Sequence, residues 1–225
     1  MSDFLHLLEN EVQIIALSFL AFVYILRIIW LFRFKFQREM TYSAGSERLG
    51  ILYSMMNIAM PWAMESIRKR TGFYVQFVIF HLGVVAAITA TFIIPYRPQL
   101  FESRAFVLIF QSVAGAAFFV GLMRLYRRLA NPSVRLISTG DDYFSLVLMI
   151  FYFAVAVLAI PNDYQNNEWP LILFFALTAF FLIYVPFSKI GHYLYYPFTR
   201  FFIGKTLGHR GVGQRKIRKT GDERP

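Results

Sequence analysis

Cysteine is absent from the 225 residues. That excludes disulfides, thiolate metal sites and iron–sulfur clusters held by this chain, so any redox centre here takes histidine, methionine or oxygen ligands. Histidine itself is scarce, with four residues. The first twelve residues carry no lysine or arginine. The basic start of a cleavable signal peptide is therefore missing, and none is expected. No aspartate or glutamate falls inside the long apolar runs delimited below, which argues against a transporter or channel coupled to protons or cations. Serine, histidine and acidic residues form no pattern for nucleophilic catalysis. Gly208, Gly211 and Gly213 lie in a basic tail with no strand before them, so they read as flexibility and not as a phosphate-binding loop. No internal repeat is found.

What the chain does have is apolar mass. Hydrophobic residues make up 57% and aromatic residues 19%, against about 45–50% apolar in ordinary soluble domains. The excess comes in blocks of about 20 residues, the length that crosses a hydrocarbon core roughly 30 Å thick. Five runs are predicted to span: Val12–Phe32, Gly72–Ile94, Ala105–Met123, Tyr143–Ile160 and Pro170–Tyr195. Backbone polar groups in lipid must be satisfied internally, so these are helices, and the alternation of a β-barrel is not seen. Pro95, Pro161 and Pro170 stand where helices should stop or start. The expected class is an all-helical, multi-pass protein of the cell membrane, with residues 1–200 as the membrane domain and 201–225 as a basic cytoplasmic tail.

Basic residues set the expected orientation. Residues 33–71, 124–142 and 196–225 hold seven, four and eight, and Lys189 brings that side to twenty. The opposite segments hold only Arg97 and Arg104. Lysine and arginine concentrate on the cytoplasmic side, so the N-terminus is expected outside and the C-terminus inside. The net charge of +10 is thus a topology signal first, and an anionic-lipid or protein-docking surface second. Nucleic acid is not an expected partner. Within the long inner loop, Ile51–Met64 is apolar, bracketed by Arg48 and Arg68–Arg70, and interrupted by Pro61. It is expected to lie as a helix in the inner interface, either as a membrane-hugging loop or as a lid for a partner or lipid-soluble substrate. From Thr206 onward the composition is that of a disordered segment.

Two histidines fall within or beside apolar runs. His81 is in Phe80–Gly83, nine residues into the second run, about 13 Å deep at 1.5 Å per residue. His192 closes the fifth run in Pro186–Pro197. Ionisable residues in membrane helices are usually functional, and the plainer reading is a histidine bonded to a carbonyl. Two imidazoles at similar depth can ligate haem iron from opposite faces, a six-coordinate arrangement suited to electron transfer. Gly83, Gly191, Gly115 and Gly121 are expected to make room for the macrocycle. Arg70, Arg127, Arg128 and Lys189 are candidate partners of haem propionates, or simply positive-inside residues. Pro186 is expected to kink the fifth helix and aim His192 inward.

Three stretches resemble a known family. Phe80-His81-Leu82-Gly83, the loop Arg127–Arg135 with Ser138-Thr139-Gly140-Asp141, and Pro186–His192 are similar, in order and spacing, to the gamma subunit of respiratory nitrate reductases. The resemblance covers residues 72–200. It implies a five-helix cytochrome b that anchors a redox complex and exchanges electrons between membrane quinone and a cytoplasmic iron–sulfur subunit, an electron-transfer subunit of an oxidoreductase and not an enzyme alone. The family holds two haems between its second and fifth helices. This chain matches the inner pair only, at His81 and His192. The outer pair would fall near Thr91 and Phe174, which cannot replace imidazole, while His6 and His209 lie outside the runs. One bis-histidine haem b is expected, with a quinone site in the inner half bounded by residues 51–64. The long inner loop with Pro61-Trp62 looks more like relatives that serve heterodisulfide-reductase-type or sulfur-metabolism complexes. The alternative is a structural anchor without cofactor.

Overall fold

The computed structural model describes residues 2–34, 39–60, 62 and 65–212. Its helices are α1 (Asp3–Glu9), α2 (Glu11–Arg33), α3 (Glu47–Met56), α4 (Glu65–Arg68), α5 (Thr71–Tyr96), α6 (Arg104–Ala130), α7 (Pro132–Leu136), α8 (Gly140–Ala159), α9 (Trp169–Tyr184) and α10 (His192–His209). Among the described residues there is no strand. Five stretches are long and apolar enough to cross a membrane: Asp3–Arg33, Thr71–Tyr96, Arg104–Ala130, Gly140–Ala159 and Trp169–Phe187. The chain is an all-helical, multi-pass membrane protein, as its composition predicts. The first stretch starts earlier than expected because the Ser2 hydroxyl accepts the Leu5 N–H at 3.2 Å and caps α1. The longer helices also take in acidic residues near their ends, Glu9 and Glu11 in the first and Asp141 and Asp142 in the fourth.

Two compact units are formed, Met1–Arg27 with Val75–Ile190, and Ile28–Tyr74 with Gly191–Pro225. In the first, α5 and α6 meet through small residues. Gly83, Ala87 and Ala90 share one face of α5, and Ala114, Ala117 and Gly121 one face of α6, all buried. Lipid gives no hydrophobic drive between helices, so close backbone approach and hydrogen bonds hold them. Gln111 donates to the Val157 carbonyl at 2.8 Å, joining α6 to α8. Gln13 donates to the Phe175 carbonyl at 2.8 Å, joining α2 to α9. Thr178 gives its proton to the Phe174 carbonyl at 2.8 Å, so the Tyr152 hydroxyl, 3.0 Å away, must donate to Thr178. Phe153, Phe174 and Phe175 are fully buried around these bonds.

The second unit contains α3 and α10 packed along a glycine seam. A Cβ on Gly50 would meet the Gly204 carbonyl and Gly208 Cα. A Cβ on Gly204 would lie 2.6 Å from Ile51 Cα and 2.8 Å from Ser54 Cβ. Gly208 packs on Ser46 and Glu47, and Gly211 on Ala44. As one strand of the seam rises from 44 to 54 the other falls from 211 to 204, so the two helices are antiparallel. A helix is present in this region at Glu47–Met56, capped by Ser46, and followed by a 3-10 turn at Asn57–Ala59. The expected range of 51–64 starts four residues late, because the polar turn that caps the helix precedes its apolar residues. Pro61, Ala63 and Met64 lie outside the described residues.

Two further expectations are corrected. The fifth span does not run kinked through 195. Its α-helix ends at Tyr184 and gives way to 3-10 turns at Val185–Phe187 and Lys189–Gly191 before α10 begins. Pro186 has no N–H to give, a loss of roughly 3 kcal/mol inside a helix, and Ser188 completes the break. Its hydroxyl donates to the Val185 carbonyl at 3.2 Å and accepts the Ile190 N–H at 3.2 Å. The segment from Thr206 is not loose where described. α10 runs through the boundary expected at residue 200 and ends in a Schellman turn, with Gly211 N–H on the Gly208 carbonyl at 3.0 Å and Val212 N–H on the Leu207 carbonyl at 2.9 Å. Gly211 has φ +67°. Gly208 and Gly211 thus serve contact and turn, not flexibility. Gly213 and the remaining residues to 225 lie outside the described set.

Candidate functional site

His81 sits on α5, half-buried, where its Nδ1 lies 2.7 Å from the Phe77 carbonyl one turn back. A carbonyl only accepts, so Nδ1 carries the proton, and in the neutral ring Nε2 then holds the lone pair. This is the tautomer by which a histidine ligates a metal through Nε2 while its second nitrogen is held by a backbone acceptor. The Phe77 ring lies 4.1 Å away, tilted by 44°, and the Phe80 ring 6.2 Å away on edge. Arg124 stands over the other end of this aromatic group, 4.9 Å from the Phe80 centroid. Gly83 and Gly121 do not keep room for a macrocycle, however. The space beside Gly83 is taken by Ala117, and that beside Gly121 by Ile150, 2.7 Å from where a Cβ would be. Gly115 alone of the three opens onto free space.

His192 belongs to the other unit. It is the first residue of α10, follows the buried Gly191, and is exposed. It is thus not on the last turn of the fifth span but beyond the break that Pro186 makes. Arg70, also in the second unit, closes the turn before α5: its N–H bonds the Ile67 carbonyl at 2.9 Å and its own carbonyl accepts Phe73 N–H at 2.9 Å.

The remaining candidates divide sharply. Arg128 and Lys189 converge on Asp142. Lys189 Nζ is 2.8 Å from Asp142 Oδ2 and 2.9 Å from Thr139 Oγ1. Arg128 lies 3.8 Å from the same carboxylate oxygen and donates to Ser138 at 2.7 Å. Both cations are therefore engaged by the chain itself. Arg127 is exposed and lines a hollow with Tyr126 and Ala130.

Asp141 was named in the sequence only within a resembling loop, and Asp142 not at all, yet the two carboxylates at the start of α8 organise a polar cluster in the first unit. Thr139 gives Asp142 both its N–H, at 2.8 Å, and its hydroxyl, at 2.9 Å. Asp141 accepts the Tyr184 hydroxyl at 2.5 Å, the Ser145 hydroxyl at 3.4 Å and the Lys189 N–H at 3.2 Å. Two adjacent acids thereby tie the first turn of α8 to the end of α9 and to the 3-10 turns after it. The signal was present as Thr-x-x-Asp ahead of an apolar run, the pattern of a helix start. Which distant groups it would hold was not readable.

At the two positions where the outer ligands of the resembling family would fall, Phe174 is fully buried and stacked on Tyr152 at 5.3 Å and 7°. Thr91 bonds the Ile88 carbonyl of its own helix at 2.7 Å. Among the described residues no group of three or more histidine, aspartate or glutamate side chains is placed to hold a metal ion.

No protein-family model matches the chain. It is similar to a protein of Nitratidesulfovibrio vulgaris (strain Hildenborough) described only as "Protein", with 27% identity over 161 residues, 69% of this chain and 70% of that one.

Proposed function

We propose that the chain is the haem b-bearing membrane subunit of a redox complex in the cytoplasmic membrane, passing electrons between membrane quinone and a cytoplasmic iron–sulfur partner. The observation that supports this most is the Nδ1 contact of His81 with the Phe77 carbonyl, which holds the imidazole in the tautomer an axial ligand needs. His81 and His192 would hold the iron. Bound there, haem b would supply one-electron transfer. Phe77 orients the His81 ring, and Gly191 leaves the backbone before His192 without a side chain. Of the four candidate propionate partners, Arg128 and Lys189 bind Asp142, while Arg70 and Arg127 are both exposed. The partner is inferred from a chain that carries no cysteine and so no cluster ligands.

A second reading, a structural anchor without haem, is favoured by the close packing at Gly83 and Gly121. One measurement separates them. The purified chain should show a Soret band and split reduced α/β bands, with one haem per polypeptide by pyridine haemochrome, and His81→Ala and His192→Ala should each abolish the low-spin spectrum. A protein without these bands that still assembles and supports complex activity as His192→Ala is the anchor.

A further inference from the structure

The turn joining α6 to α8 exposes side chains that water does not favour. Leu136 is 87% and Ile137 78% exposed, and both lie between two crossings, outside either span. Tyr126, on the last turns of α6, is 74% exposed. Exposed apolar groups gathered at one place mark a surface that something covers. Along α6 the residues Phe119, Leu122, Met123, Tyr126 and Leu129 are all exposed. Their spacing of three and four places them on one helical face, the face this helix presents to lipid. The stripe ends at a hollow of about 480 Å³ bounded by Tyr126, Arg127, Ala130, Asn131 and Pro132.

Charge collects at the same end. Arg124, Arg127 and Arg128 fall within little more than one turn of α6. Arg128 reaches the carboxylate of Asp142, and Arg124 covers the Phe80 ring. Arg127 borders the hollow, four residues after Met123 and so on the stripe itself. An apolar track about three turns long, with a guanidinium near its end, matches a molecule with an acyl chain at one end and an anion at the other.

We propose that this end of α6 binds an anionic phospholipid, with the headgroup phosphate on Arg127, one acyl chain along the Phe119–Leu129 stripe, and Leu136 and Ile137 seated in the interfacial layer beside it. Guanidinium is the side chain best matched to phosphate oxygens, by its forked donors. A soluble protein partner would cover the turn without needing the stripe, which continues into the bilayer. The site is independent of whether the chain holds haem.

The test reconstitutes the full chain in phosphatidylcholine vesicles containing one fifth phosphatidylglycerol and reads, by spin-labelled lipids, the preference of the protein-contacting shell for each. The wild-type chain should prefer the anionic lipid, and Arg127→Gln should lower that preference by up to about fivefold, the factor that roughly 1 kcal/mol per basic residue gives, without abolishing it, because the other basic residues also draw anionic lipid. Arg127→Lys should restore most of the loss. Leu136→Ser with Ile137→Ser, in an exposed turn where folding is not at stake, should lower the preference too. Unchanged preference in Arg127→Gln with native helicity by circular dichroism overturns the proposal. So does displacement of the lipid by millimolar inorganic phosphate, which would make this a bare phosphate site, or shielding of the turn only when a soluble protein is added.

Discussion

Single hydrogen bonds decide much of this molecule because so few polar groups lie among its helices. Tyr184 and Asp141 form the shortest contact of the α8 clasp, 2.5 Å from hydroxyl to carboxylate. Hydrogen bonds to a charged group contribute more than neutral ones, about 1.5–3 kcal/mol when removed. Tyr184→Phe keeps the ring against Phe144 and Phe180 and deletes the hydroxyl, with its bond to Asp141 and its 2.9 Å contact with Ser145. It is expected to destabilise by about 2 kcal/mol, read as a lowered unfolding midpoint in detergent. A change within a few tenths of wild type would show that Lys189 N–H and Ser145 satisfy Asp141 by themselves. The ion pair of Lys189 with Asp142 contributes less, since Lys189 is more than half exposed and such pairs are screened.

Among whole elements, α3 and α10 depend on having no side chains between them. Glycine in a helix interior costs about 1 kcal/mol relative to alanine, so Gly50, Gly204 and Gly208 are unfavourable until the two backbones meet. Once they do, Glu47 joins the pair by polar contacts. His209 Nδ1 is 3.2 Å from Glu47 Oε1, and His209 Nε2 is 2.8 Å from the Thr41 carbonyl. Arg210 bonds Glu39 at 2.7 Å. Gly204→Leu should force the helices apart at a cost of about 1–3 kcal/mol, the usual penalty of overpacking. Faster tryptic cleavage after Arg48 and Lys205 would report it. Cleavage as slow as in wild type would mean that the seam can widen freely.

At the scale of the molecule, five stretches of the described residues are long and apolar enough to cross a membrane. The distribution of lysine and arginine predicts the N-terminal end outside and the C-terminal end inside. A reporter active only in the cytoplasm should work when fused after Val212 and be silent when fused ahead of Ser2. The reverse result, or activity at both ends, would remove the orientation and with it the proposed cytoplasmic side for the iron–sulfur partner.

The chain's own order of residues settled the class, the number of crossings and most of their positions, because a bilayer demands about 20 apolar residues in a row and demands little else. It also marked Pro186 as a disturbance of the fifth helix, since a missing N–H is a local fact, but expected a kink where the α-helix in fact ends. It could not tell that Gly83 and Gly121 pack against Ala117 and Ile150. Nor could it show that Arg128 and Lys189 share Asp142, or that Gly208 and Gly211 end an ordered helix. In each case the partner lies on another helix or across a turn. A glycine that makes room and a glycine that closes a gap are the same residue in a sequence, and only the neighbour brought to it by folding decides between them.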